Sequence, residues 1–274
     1  GWTSHDVVAR ARKLLSTKKV GHSGTLDPDA TGVLVLGIGR ATRLLQFLTG
    51  MNKSYVGEIR LGSTTTTLDA AGEITANFEM GGTTVEQVRQ VAKSFVGDIE
   101  QIPPMVSALK IDGKRLHELA REGIEVERKA RPVTISRLDI DPVEGESLTF
   151  RAAVDCSSGT YIRTLAADIG EALGGGAHLR SLRRTAVGPF TIADATPLEA
   201  LAVLPAAEGV RSLGLTVVDD AVAIAIGHGK VLPLELLGVA GEGPWPIVDT
   251  SGRLLAVYKT YRDGEAKPAL VLAG

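Results

Sequence analysis

The stretch Gly21-His22-Ser23-Gly24-Thr25-Leu26-Asp27-Pro28-Asp29-Ala30-Thr31-Gly32 sets a carboxylate, Asp27, among glycines and small residues and follows it with proline. Proline fixes its own φ and pushes the residue before it out of the helical region, so Asp27 is held in a turn and its carboxylate has a defined direction. The plain alternative is an Asx turn that only caps a loop. A second constellation is Ser157-Ser158-Gly159-Thr160-Tyr161-Ile162-Arg163-Thr164-Leu165, between an expected strand and an expected helix. Tyr161 and Arg163, two apart at such a junction, can both reach a cleft at a sheet edge. Alternatively, Tyr161 fills the core and Arg163 pairs with a surface acid.

Other chemistries fit poorly. A phosphate-cradling P-loop needs Gly-Lys-Ser/Thr at its end, which is missing here. Gly37-Ile38-Gly39 begins a dinucleotide-like pattern, but Thr42 replaces its third glycine. Histidines 5, 22, 117, 178 and 228 are dispersed, and no paired Cys/His spacing suggests a metal site. The single cysteine, Cys156, cannot bridge within the chain, which fits a reduced, cytoplasmic compartment. No apolar run is long enough to span a membrane, and the first residues carry no signal segment.

The elements that must hold these residues follow from periodicity. Ser4 with Val7, Val8, Ala11, Leu14 and Leu15 predicts an amphipathic helix capped by Ser4. Val33–Leu36 reads as a buried strand, Ala41–Leu48 as helix, and Ser54–Leu61 alternates as a strand does. Thr84–Phe95 reads as a helix with Gly97 as its C-cap. A short helix is expected at Leu116–Arg121, strands at Val133–Ile140 and Leu148–Val154, and a helix at Thr160–Leu173. From about Leu215 the texture changes to short apolar runs, Trp245–Val248, Leu254–Tyr258 and Ala269–Leu272, with glycine turns between them. At 274 residues the length suits one large and one small domain, expected at 1–210 and 215–274. Strands and helices mix without strict βαβ alternation, so the expected class is α+β.

The net charge of −2 does not by itself suggest nucleic acid. Its distribution permits it, because residues 1–53 hold eight Lys/Arg against three acids, and Arg180, Arg183 and Arg184 lie close together. Scattered, solvated charge is the simpler reading.

Four ordered blocks resemble the bacterial tRNA pseudouridine-55 synthases: residues 21–34; Lys53-Ser54-Tyr55; Gln101-Ile102-Pro103-Pro104 running into residues 107–115; and residues 156–163 followed by Gly176-Ala177-His178-Leu179 and Leu182-Arg183-Arg184. The likeness is close to about residue 200 and loose beyond. The family usually has Asp-Lys-Pro just before the position of Gly1, so a strand is expected to be missing or cut. Val106 stands where relatives often carry tyrosine.

The resemblance implies a mixed, largely antiparallel sheet flanked by helices, a thumb-like insertion at about 102–132, and a small C-terminal β domain of the PUA type. It implies an isomerase that acts on uridine 55 in the T stem-loop of tRNA, without cofactor, metal or energy source. A monomer is expected, since nothing in the sequence suggests a partner helix. Asp27 would be the nucleophile, a group already ionised at neutral pH. Arg163 would pair with it, keep it ionised and aim it. Tyr55 would stack on the extruded base and route its C5 proton. Tyr161 and Leu182 would wall the pocket, and His22 would fill the space the base leaves. Lys110, Lys114, Arg115, Arg183 and Arg184 would contact RNA phosphates. The alternatives are a guide-RNA-dependent relative and a non-catalytic tRNA-binding or tRNA-folding protein.

Overall fold

A computed structural model describes residues 1–107, 109–111, 114–116, 119, 122–124 and 126–272. The chain forms two compact units, neither continuous in sequence: one of Gly1–Thr3, Thr25–Val33 and Gly50–Ala193, the other of Ser4–Gly24, Leu34–Thr49 and Asp194–Gly274. The expected division near 210–215 sets apart the C-terminal strands. The unit that holds them also takes in two segments from the first fifty residues.

The first unit is built on a seven-stranded sheet. Its order is Phe190–Thr191, Ala177–Val187, Lys53–Leu61, Glu146–Cys156, Arg131–Val143 and Gly97–Gln101, with Thr31–Gly32 added beside Ala177–Val187. All pairings are antiparallel except that last one. Burial along Lys53–Leu61 alternates strictly, as its sequence requires. Tyr55, Ile59 and Leu61 meet Val88 and Ala92 of the helix Val85–Lys93 and Ile162, Leu165, Ala166 and Ile169 of the helix Ile162–Ala172 in one core. The helix Val85–Lys93 starts with a capping box: Thr84 Oγ1 accepts from the Gln87 amide at 3.3 Å, and Gln87 Oε1 accepts from the Thr84 amide at 2.8 Å. Such a cap contributes about 1 kcal/mol.

In the second unit a five-stranded sheet runs Thr216–Val217, Trp245–Val248, Leu254–Arg262, Glu265–Val271 and Leu232–Pro233. Every residue of Trp245–Val248 is buried. Trp245 and Ile247 join a core with Val222 and Ile226 of the helix Asp220–Gly227, while Val248 and Leu254 join another with Leu44 and Val210. Covered on both faces, this strand reads as an apolar run instead of an alternation. The fold class is mixed α+β, as expected.

Several local expectations need correction. The run Val33–Leu36 is not one strand: Val33 ends the segment paired with Arg184, and Leu36–Ile38 pairs antiparallel with Val20–His22. Gly97 does not cap a helix, because Ser94 already does so in a right-handed conformation; Gly97 opens a strand with φ +111°. The segment Ala41–Leu48 is part 3-10 helix, Gly39–Leu44, and part α-helix, Leu45–Thr49. The first helix begins at Ser4 itself. The expected helix Leu116–Arg121 falls largely outside the described residues.

Candidate active site

The first unit brings the two sequence constellations together on one ion pair. Arg163 lies in the first turn of the helix Ile162–Ala172, just past the strand Glu146–Cys156 and a short turn. Its Nε lies 3.0 Å from Asp27 Oδ2, and its Nη2 donates to Asp27 Oδ1 at 3.2 Å, a two-point grip that fixes the carboxylate plane. The guanidinium is itself held from behind. Nη1 donates to the Thr67 carbonyl at 3.0 Å and lies 3.5 Å from Asp69 Oδ2, and Nη2 donates to the Val106 carbonyl at 2.7 Å. The Arg163 side chain is 6% exposed, whereas that of Asp27 is 38% exposed, so the carboxylate is the member of the pair that an incoming molecule can touch.

Burial lifts the Asp27 pKa above its ordinary value. The Arg163 charge works against that rise and Asp69 adds to it. The cation therefore limits the effect of burial and does not make Asp27 unusually acidic.

The loop carrying Asp27 is clamped by Arg184, which is 1% exposed. Arg184 Nη1 donates to the Thr25 carbonyl at 3.1 Å and Nε to the Val33 carbonyl at 2.8 Å, while the Val33 amide donates back to the Arg184 carbonyl at 2.8 Å. One residue thus ties both ends of Thr25–Val33 to the strand Ala177–Val187. Gly32, at φ +103°, makes this approach possible, since a Cβ there would lie 2.1 Å from the Arg184 carbonyl oxygen. Arg184 was expected at a phosphate, but a buried guanidinium satisfied by backbone carbonyls is structural, and that assignment is replaced.

Tyr55 lies opposite Arg184 in the sheet register. Burial raises its pKa, so it is a neutral phenol at neutral pH; a hydrogen bond from Arg184 opposes the rise and the Asp27 charge adds to it. Lys53, two residues earlier, is buried with its pKa lowered by desolvation and by Arg184; its Nζ donates to the Met51 carbonyl at 2.9 Å.

Tyr161 sits at the N-cap of the helix that carries Arg163, half-buried. Its backbone is gripped on both sides by the Gln101 amide: Tyr161 N–H donates to Oε1 at 2.9 Å, and Nε2 donates to the Tyr161 carbonyl at 3.3 Å. Leu182 is partly buried against the same core and pairs across from Gly57. Arg183 is exposed, with its guanidinium 3.4 Å from Thr31 Oγ1. Lys110 pairs with Arg115 and Ile111 with Lys114 in a two-stranded hairpin; the side chains of Lys110, Lys114 and Arg115 lie outside the described residues. His22 belongs to the other compact unit, where it ends the strand Val20–His22 and meets the His5 ring edge-on at 5.8 Å. Among the described residues no group of three or more His, Cys, Asp or Glu could hold a metal ion, and no helix is long and apolar enough to cross a membrane.

Two positioning residues escaped the sequence reading. Asp69 accepts from Thr67 Oγ1 and from the Ala71 amide in a loop where Leu68 takes φ +61°. Its link to Arg163, nearly a hundred positions away, leaves no spacing signal. Gln101 stands in one of the matched blocks, but a lone glutamine carries no chemical signature. Its burial, at 2% exposure, marks it only in three dimensions.

Comparison with known proteins places this geometry in a family. Residues 12–162 match the N-terminal domain of the TruB family pseudouridylate synthases, and residues 163–214 match the tRNA pseudouridylate synthase B C-terminal domain. The chain is 44% identical to the tRNA pseudouridine synthase B of Arthrobacter sp. (strain FB24), over 100% of this chain and 94% of that protein. It is 49% identical to the one of Corynebacterium aurimucosum, over 94% and 89%. Among solved structures, a chain in the crystal structure of a Cbf5-Nop10-Gar1 complex superposes with TM-score 0.73 at 27% identity, covering 99% of this chain and 80% of that one. A chain in an H/ACA RNP bound to a substrate RNA containing 2'-deoxyuridine gives TM-score 0.73 at 25% identity, over 100% and 82%.

Proposed function

Since the chain belongs to the TruB family of pseudouridylate synthases, we propose that it isomerises uridine 55 in the T loop of tRNA to pseudouridine. The observation that carries this reading is the two-point Arg163–Asp27 pair, with the carboxylate as its more accessible member, in the unit whose sheet carries Tyr55. The reaction breaks the N1–C1′ bond of the uridine and joins C1′ to C5. The C5 proton leaves and N1 gains one, so atoms balance with no oxidant or second substrate.

A carboxylate can do this work without a general base to activate it, provided it is ionised. Asp27 attacks or assists at the sugar while Arg163 aims it. Tyr55 stacks on the flipped uracil and offers the route for the C5 proton. Tyr161 and Leu182 supply the faces that replace the lost base stack, which costs a few kcal/mol to break. Lys110, Lys114, Arg115 and Arg183 contact phosphates around the arm, the first three from the thumb segment. The enzyme works as a cytoplasmic monomer, and the PUA-like C-terminal part adds RNA binding.

Asp27→Asn tests the assignment. Tritium release from C5-labelled uridine in a T-arm stem-loop is expected to vanish while RNA binding stays nearly intact. Unchanged release would remove Asp27 from the mechanism, and mass-spectrometric mapping of unmodified tRNA after incubation shows whether position 55 is the target.

A further inference from the structure

The second compact unit contains a cavity that the isomerisation chemistry does not use. It measures about 810 Å³ and is lined by Arg12, Lys18, Lys19, Arg40 and Arg43 together with small or apolar residues such as Gly39, Thr42 and Val271. No Asp or Glu is among its described lining residues. The segments Ser4–Gly24 and Leu34–Thr49 hold seven Lys/Arg and one acid, Asp6, and five of those seven cations face this one space. The basic excess of the N-terminal residues is therefore gathered in three dimensions and not dispersed over a surface.

The arginines are also held in place. Arg12 Nη2 donates to the Val20 carbonyl at 3.2 Å, Arg40 Nη1 to that of Leu272 at 3.0 Å, and Arg43 Nη1 to that of Val271 at 3.1 Å. A guanidinium has five N–H donors in a rigid fork, so anchoring by one carbonyl leaves Arg12 and Arg43 with donors for an anion and less rotamer freedom to lose on binding. Thr42 closes the turn by donating to the Gly39 carbonyl at 2.8 Å. The described lining residues include no aromatic side chain on which a base could stack. It suits phosphate groups and not nucleobases.

We infer that this cavity is an RNA-backbone site: it takes consecutive phosphodiesters of the substrate RNA, independently of sequence, and shares no residue with the isomerisation pocket. The inference rests on the RNA-directed reading above and extends it to a second contact. It raises affinity and its salt dependence and leaves the chemical step alone.

The test uses the full chain and unmodified tRNA. Lys18→Gln with Lys19→Gln removes two exposed cavity cations. Lys13→Gln with Lys259→Gln removes the same charge from exposed positions outside the lining and serves as control. The cavity pair is expected to bind tRNA about tenfold more weakly and to flatten the slope of log affinity against log salt by about 1.4 to 1.8, as for two lost phosphate contacts. Its kcat at saturating tRNA should equal that of the unsubstituted enzyme, and the control pair should bind as the unsubstituted enzyme does. Affinity and slope no different from the control would overturn the inference. So would thermal stabilisation by millimolar pyrophosphate that the cavity pair loses while its tRNA affinity is unchanged, since the site would then serve a small free anion. Absence of pseudouridine formation by the unsubstituted enzyme would instead sink the proposed function, so the two failures are distinguishable.

Discussion

Arg184 and Arg43 carry the same charged group in two regions built on opposite terms. Around Asp27 the guanidiniums of Arg163 and Arg184 are buried and each is held by several carbonyl or carboxylate oxygens of the protein. In the cavity of the other unit, Arg12, Lys18, Lys19, Arg40 and Arg43 are exposed and face a space with no acid among its described lining residues. A buried cation must have its donors satisfied internally, because leaving them unpaired costs about 1–3 kcal/mol each or more. Such a group fixes geometry and has little left for a ligand. An exposed one keeps its donors for a partner and is correspondingly open to screening by salt. Position along the chain does not distinguish the two uses; burial does.

The largest way to break that contrast is at Asp27, where Asn is expected to stop turnover without moving the salt dependence of RNA binding. Next is Gly32→Ala. The new Cβ would collide with the Arg184 carbonyl at a φ that disfavours side chains, and a destabilisation of about 3 kcal/mol is expected. A lowered urea midpoint and faster hydrogen exchange at the Val33 amide would report it, and exchange unchanged at Val33 would mean the clamp is not what orders the loop. Arg184→Gln should cost about 1–3 kcal/mol and most of the activity, through the Thr25 and Val33 carbonyls it leaves short of donors. Its salt slope for tRNA should stay that of the unsubstituted enzyme. A flattened slope would show that Arg184 reaches phosphate after all and would erase the distinction between the regions.

The smallest effect is one of pH. Burial raises the Asp27 pKa above 3.8, and only the ionised form is active, so kcat/KM should fall as pH drops through that raised value. Arg163 opposes the rise. Arg163→Gln removes that opposition and should move the acidic limb to higher pH, whereas Arg163→Lys keeps a charge without the fork and should move it less. A limb that stays in place in both variants would mean that another group sets it.

Much of the scaffold was legible in the residues. The alternation of Ser54–Leu61, the apolar spacing of Thr84–Phe95 and the run Trp245–Val248 each correspond to an observed element, because local periodicity follows from which face is buried. Asp27 and Arg163 stood out singly, by the turn and by the strand-to-helix junction. Their pairing was implied by resemblance and is seen in the structure. Arg184 was misjudged because an arginine beside another arginine looks solvated in one dimension, and nothing local reveals that the strand turns it inward.

The sequence alone determined most of the elements and the supply of charge, because each of these depends on neighbours a few residues away. The tertiary structure decided which charges became structural and which stayed available. Asp69 and Gln101 reach their partners across 94 and 60 positions, and the five cavity cations converge from two separated segments. Contacts at such separations are set by how the elements pack, and packing assigns burial, pKa and accessibility to side chains that are chemically identical along the chain.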